Sequence, residues 1–76
     1  MNEFEAVLKP LSDGHWILTL FLPGQSNTMR EEPSPAGLDV PGAKDWAEAF
    51  MRAHGFKEFF GWLSLKDGKY QIKMTV

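Results

Sequence analysis

The apolar positions change period along the chain. From Phe4 to Leu11 and from His15 to Leu22 they largely alternate with polar ones, the two-residue period of a strand with one buried face. Between Asp39 and Phe56 the spacing lengthens. Ala43, Trp46, Ala49, Phe50 and Ala53 recur at three and four residues, one stripe of an α-helix, while Lys44, Glu48 and Arg52 form a ladder of alternating sign on the opposite, solvated face. Asp39 is placed to cap this helix with Pro41 in its first turn, and His54-Gly55 to end it, Gly55 at the left-handed C′ position. From Phe59 to Leu65 and from Tyr70 to Val76 the strand period returns. The pattern predicts an α+β domain spanning 1–76. It holds a hairpin over 3–22, a Pro/Gly-rich loop over 23–40, a helix over 41–54 and a hairpin over 57–76. That is ββαββ, a single four-stranded, mainly antiparallel sheet with one helix packed on one face.

The two turns fix the register. A two-residue Asp13-Gly14 turn would set Leu8 against Thr19 and mix polar with apolar on both faces. A three-residue Ser12-Asp13-Gly14 loop instead pairs Leu8 with Leu18, Ala6 with Leu20 and Phe4 with Leu22, so a type I turn with a bulge and Gly14 at positive φ is expected. In the second hairpin a two-residue Asp67-Gly68 type I′ turn sorts the faces. It pairs Leu65 with Tyr70, Leu63 with Ile72, Gly61 with Met74 and Phe59 with Val76. A helix between the second and third strands makes those two parallel, which leaves a strand order of 2-1-3-4 or 1-2-4-3.

These registers turn Leu18, Leu22, Leu63, Leu65 and Val76 toward the helix, with Gly61 admitting its close approach. Val7, Ile17, Phe21, Phe60 and Trp62 face the other way, among Glu3, Glu5, Lys9, Lys69 and Lys73. Three aromatics on one uncovered sheet face call for an explanation. Leu38 and Val40 of the long loop folding over them is one, a second copy stacked there is another, and a different protein is a third. Bases stacked on Phe21, Phe60 and Trp62 with phosphates on nearby lysines would be a fourth, opposed by the glutamates on the same face.

Composition narrows the choice. With 76 residues, 43% apolar and 13% aromatic, the chain is long enough for one core. It has no cysteine, which removes disulfides and Cys-based metal sites and fits a reducing, cytoplasmic setting. A formal charge of −2 exerts no overall pull on nucleic acid or anionic membrane. No secretory signal or membrane-spanning run is visible. Ser12, Asp13 and His15 share a hairpin tip, where they suit a turn better than a triad, and the two histidines make no metal site with Glu31 and Glu32. No phosphate-binding glycine motif is present. Enzyme activity, cofactors and metals are therefore not expected.

Phe4-Glu5-Ala6, Asp13-Gly14-His15-Trp16 and Leu22-Pro23-Gly24 together resemble the first hairpin of HicB-type antitoxins. The likeness covers the first third of the chain. It departs from that family in its longer, proline-rich connection and in lacking a Gly-Asp-Thr-like segment before the helix and a DNA-binding extension after the sheet. What the resemblance implies is a small regulator that neutralises a larger protein. Size alone offers a second analogy, with phage or mobile-element inhibitors such as anti-CRISPR proteins. The expected function is thus a non-enzymatic protein-binding module, a regulator or inhibitor that covers a site on a larger protein. Its contact residues would be Ile17, Phe21, Phe60, Trp62 and Lys73 on the sheet, with Arg30, Glu31 and Glu32 from the loop as rim. A homodimer through the outer sheet face is the alternative partner, single-stranded nucleic acid the alternative ligand, and a membrane is not expected.

Overall fold

Among the described residues the sheet has five strands. The computed structural model describes residues 3–21 and 28–76, as β1 (Glu3–Pro10), β2 (Trp16–Phe21), β3 (Thr28–Pro33), α1 (Val40–Ala53), β4 (Glu58–Ser64) and β5 (Tyr70–Thr75). The spatial order is β3-β2-β1-β5-β4, and every neighbouring pair is antiparallel. The α+β class holds, while the four-strand layout is corrected. β3 lies within the stretch expected to be a loop, and by reversing the chain once more it makes β2 and β4 antiparallel, so neither expected strand order occurs. The helix joins one edge strand to the other, β3 to β4. The central strand is β1, flanked by β2 and β5.

The first hairpin takes the three-residue loop. Leu8 faces Leu18 and Ala6 faces Leu20, the Leu11 amide donates to the His15 carbonyl at 2.8 Å, and Gly14 has φ of 89°, a region costly for a residue with a Cβ. The expected Phe4–Leu22 pair and the inward setting of Leu22 lie outside the described residues.

The second hairpin forms its type I′ turn and still misses the expected register. Asp67 and Gly68 have φ of 62° and 73°, and the Lys69 amide donates to the Lys66 carbonyl at 3.3 Å. Next to the turn, however, the Leu65 amide donates to Lys69, so two residues stand opposite one and the ladder slips. Ser64 instead of Leu65 now faces Tyr70, and Trp62 instead of Leu63 faces Ile72. A one-residue slip inverts a strand, and this one turns Trp62 toward the helix and leaves Leu63 58% and Leu65 38% exposed. A second irregularity between Phe59 and Trp62 restores Phe59 to the core side, opposite Met74. Gly61, at φ of 84°, makes that bulge and has nothing within 4 Å of where its Cβ would be, so it does not serve helix approach. Val76, also expected inside, is 65% exposed.

Asp39 caps α1, its carboxylate accepting from the Gly42 amide at 2.8 Å. At the other end the Gly55 and Phe56 amides donate to the Arg52 and Met51 carbonyls at 3.1 Å, with Gly55 at φ of 96°. This is a Schellman motif whose last residue, Phe56, is buried against Phe4. The buried stripe is Ala43, Ala47 and Met51, rotated from the expected one, so that Ala49 and Ala53 are exposed. The cause lies beside the stripe. Lys44 stands over the Tyr70 ring at 4.4 Å, Arg52 over Phe59 at 4.9 Å, and Glu48 accepts from Trp62 Nε1 at 2.9 Å. The ladder read as a solvated face is therefore the seam between α1 and the β4–β5 hairpin. On the opposite flank Arg30 of β3 lies over Phe50 at 5.5 Å.

The core is Leu8, Leu18, Leu20, Ile72 and Met74 of the sheet against Met51 and the small Ala43 and Ala47 of α1. Leu38 and Val40 pack on this same side, not over the opposite face as one reading supposed. Trp16 holds the segment before α1 in place: its carbonyl accepts from the Ser34 amide at 2.8 Å, its amide donates to the Ser34 hydroxyl at 2.9 Å, and its Nε1 donates to the Leu38 carbonyl at 3.0 Å. Among the described residues no helix is long and apolar enough to cross a membrane.

The observed register makes a clear statement about stability. In urea, Met51→Ala should lose about 2–5 kcal/mol of unfolding free energy, a large share of the total for a domain this size, while Leu63→Ala should lose no more than about 0.5 kcal/mol. Equal losses would contradict the assignment of faces.

Candidate interaction surface

With one helix on one side, the other face of the sheet has no covering element among the described residues. Strand alternation builds that face from Val7 and Lys9 of β1, Ile17, Thr19 and Phe21 of β2, Glu31 of β3, Gln71 and Lys73 of β5, and Leu63 of β4. It is mixed in character. Val7 sits between Thr19 and Gln71, Ile17 between Lys9 and Pro33, and Phe21 beside Glu5. Cross-strand polar partners dilute it further: Thr19 Oγ1 donates to Glu31 at 3.4 Å, and Lys73 lies 3.7 Å from Glu3. Val7, Ile17 and Phe21 are half-buried by these neighbours.

The bare apolar surface is at one border. Phe60 is 55% exposed and Leu63 58%, both on β4, and Leu65 follows at the turn. β4 is an edge strand, so its exposed side chains adjoin a row of backbone groups with no protein neighbour among the described residues.

The eight expected contact residues are thus divided. Ile17, Phe21, Glu31 and Lys73 share the helix-free face, and Phe60 stands exposed at its β4 border. Trp62 does not join them. It is half-buried on the core side and bonded to Glu48. Arg30 and Glu32 also face the helix side, opposite Leu20 and Leu18, where Arg30 lines an open pocket of about 360 Å³ with His54, Phe56 and Phe4. Leu63 and Leu65 are the surface residues that sequence reasoning missed. Their signal was Gly61 in the middle of a strand, since an interior glycine there commonly marks a bulge and therefore a change of face.

The charges are unevenly spread. Residues 57–76 hold four lysines against two carboxylates, and residues 1–56 hold four basic against eight acidic side chains. The β4–β5 hairpin is therefore positive on a chain that is otherwise negative.

The hairpin tip shows ordinary turn chemistry. The Asp13 carboxylate accepts from the His15 amide at 3.1 Å, and its Oδ1 lies 3.1 Å from the His15 ring. The backbone bond, then the ring, hold this carboxyl below its ordinary value. No cluster of three potential metal ligands occurs among the described residues. Comparisons with models of known protein families, with characterised proteins and with solved structures find no match to this chain.

Two measurements test this geometry. Trp62→Ala should lower the melting temperature, since it removes a side chain packed on the core together with the bond to Glu48; an unchanged melt would return Trp62 to the surface. Asp13 is favoured in its ionised form by folding, so its stabilisation is present above the usual carboxylate range and fades as pH falls through the depressed value. The gap in melting temperature between the parent and Asp13→Ala should therefore close in acid, and a gap independent of pH would show that the carboxylate is not involved.

Proposed function

We propose that this chain is a non-enzymatic protein-binding module, a small regulator or inhibitor that covers a site on a larger protein, and that it makes contact through the helix-free face and its β4 border. The observation that carries this reading is the exposure of Phe60 and Leu63, each more than half accessible, on an edge strand of a sheet with one uncovered side. Fully burying side chains of this size contributes about 1.5–3 kcal/mol each. Aromatic and aliphatic anchors within a polar surround are the usual composition of a binding hot spot. Here the surround is Lys73, Gln71, Thr19 and Glu31. The nucleic-acid alternative is weaker on the same geometry. With Trp62 on the core side, only Phe21 and Phe60 of the three aromatics remain for bases to stack on.

The test compares the parent with a Phe60→Lys, Leu63→Lys double variant and with Ala49→Lys on the exposed side of α1, each immobilised and offered to cell extract. All three should melt within a few degrees of one another. The parent and Ala49→Lys should enrich a common protein that the double variant does not. Enrichment of the same protein by all three would reject this surface.

A further inference from the structure

The two edges of the sheet are finished differently. β3 is Thr28–Pro33, with Arg30, Glu31, Glu32 and a terminal proline, the charged and proline-bearing composition that keeps other strands away. β4 is Glu58–Ser64, with one charge, no proline and three aromatics. The bulge between Phe59 and Trp62 and the slip at Leu65 interrupt it, and between them Trp62, Leu63 and Ser64 keep a regular ladder. The Leu65 amide points inward, donating to Lys69 at 2.8 Å. Strand alternation then sends the backbone N–H and C=O of Ser64 and Trp62 to the open edge, while those of Leu63 face β5.

We infer that this edge accepts an extended segment of a partner protein as a sixth strand, and that the segment carries apolar side chains and a net negative charge. The inference rests on the protein-binding reading above and specifies its mode. Trp62 and Ser64 supply the backbone bonds, and Phe60 and Leu63 receive the apolar side chains on the helix-free side. The acidic requirement comes from charge. Lys57 and Lys66 flank the strand, and Lys69 and Lys73 lie on the adjoining turn and strand. Within the hairpin only Glu58 and Asp67 oppose these four, and Glu3 of the neighbouring strand lies 3.7 Å from Lys73, whereas residues 1–56 carry an excess of carboxylates, so an acidic segment is drawn to this end of the molecule. A second copy of the chain suits the edge less well, because it would bring the same lysines to the contact.

The test uses a capped heptapeptide of alternating valine and glutamate, followed by backbone amide exchange and by titration. Saturable binding is expected, with the Trp62 and Ser64 amides slowed at least tenfold and Leu63, already bonded to β5, little changed. The same peptide N-methylated at every residue keeps its side chains but has no N–H donors, and it should bind at least tenfold more weakly. So should a version with lysine in place of glutamate. The Phe60→Lys, Leu63→Lys variant should lose the parent peptide while retaining its melting temperature. Binding that survives N-methylation, or protection that appears on β3 instead, would overturn strand addition and leave the protein-binding reading standing. No binding of the valine–glutamate peptide would overturn it as well. A concentration-dependent dimer that protects Trp62 and Ser64 without any peptide would make a second copy the occupant and overturn the inferred partner. Failure of the broader reading would be seen separately, in the extract experiment.

Discussion

One helix has to cover five strands. At about 1.5 Å per residue the 14 residues of α1 extend roughly 21 Å, and five strands about 4.8 Å apart are roughly 19 Å across. The match is close, and it allows only one side of the sheet to be buried. Everything else follows from making that single interface dense. Ala43 and Ala47 bring the helix backbone near the leucines of β1 and β2, Met51 joins the same cluster with Phe56, and no second helix covers the other side among the described residues.

The borders of that interface are closed by polar side chains with long aliphatic stems. Lys44 over Tyr70, Arg52 over Phe59 and Arg30 over Phe50 each place a cation on an aromatic face whose ring packs against the core. Glu48 links the helix to Trp62. These residues look like ordinary solvated positions because each keeps part of its side chain in water, yet together they line the flanks of the buried stripe of α1.

Much of this was readable in the residues, and the failures have physical causes. The first hairpin was legible because parity alone distinguishes a three-residue loop from a two-residue one when both strands alternate cleanly. The helix ends were legible because Asp39 and Gly55 have few other uses. β3 was not legible: Thr-Met-Arg-Glu-Glu-Pro has no apolar period, and its pairing to β2 on one side only asks for none. β4 was misread because the turn was right and the ladder beside it slipped, after which Gly61 reversed the slip. One irregularity within the seven-residue strand and a compensating one just past its end, at Leu65, leave no two-residue period to follow. The candidate surface inherits that error directly, gaining Leu63 and losing Trp62. The stripe of α1 was misplaced because alanines at 43, 47, 49 and 53 are equally apolar and cannot say which of them faces the leucines.

The pairing of β1 with β5 bears on how the molecule is made. Phe4 lies opposite Met74 and Ala6 opposite Ile72, so the middle of the sheet joins residues about as far apart in sequence as this chain permits. Loop closure over that distance is slow compared with forming either hairpin. As the chain emerges from a ribosome, β1, β2 and β3 can pair early, but β1 keeps a bare side until the final strand is complete. For that interval the folding chain carries the unpaired edge of β1 at the centre of its sheet, the kind of edge through which incompletely folded proteins associate.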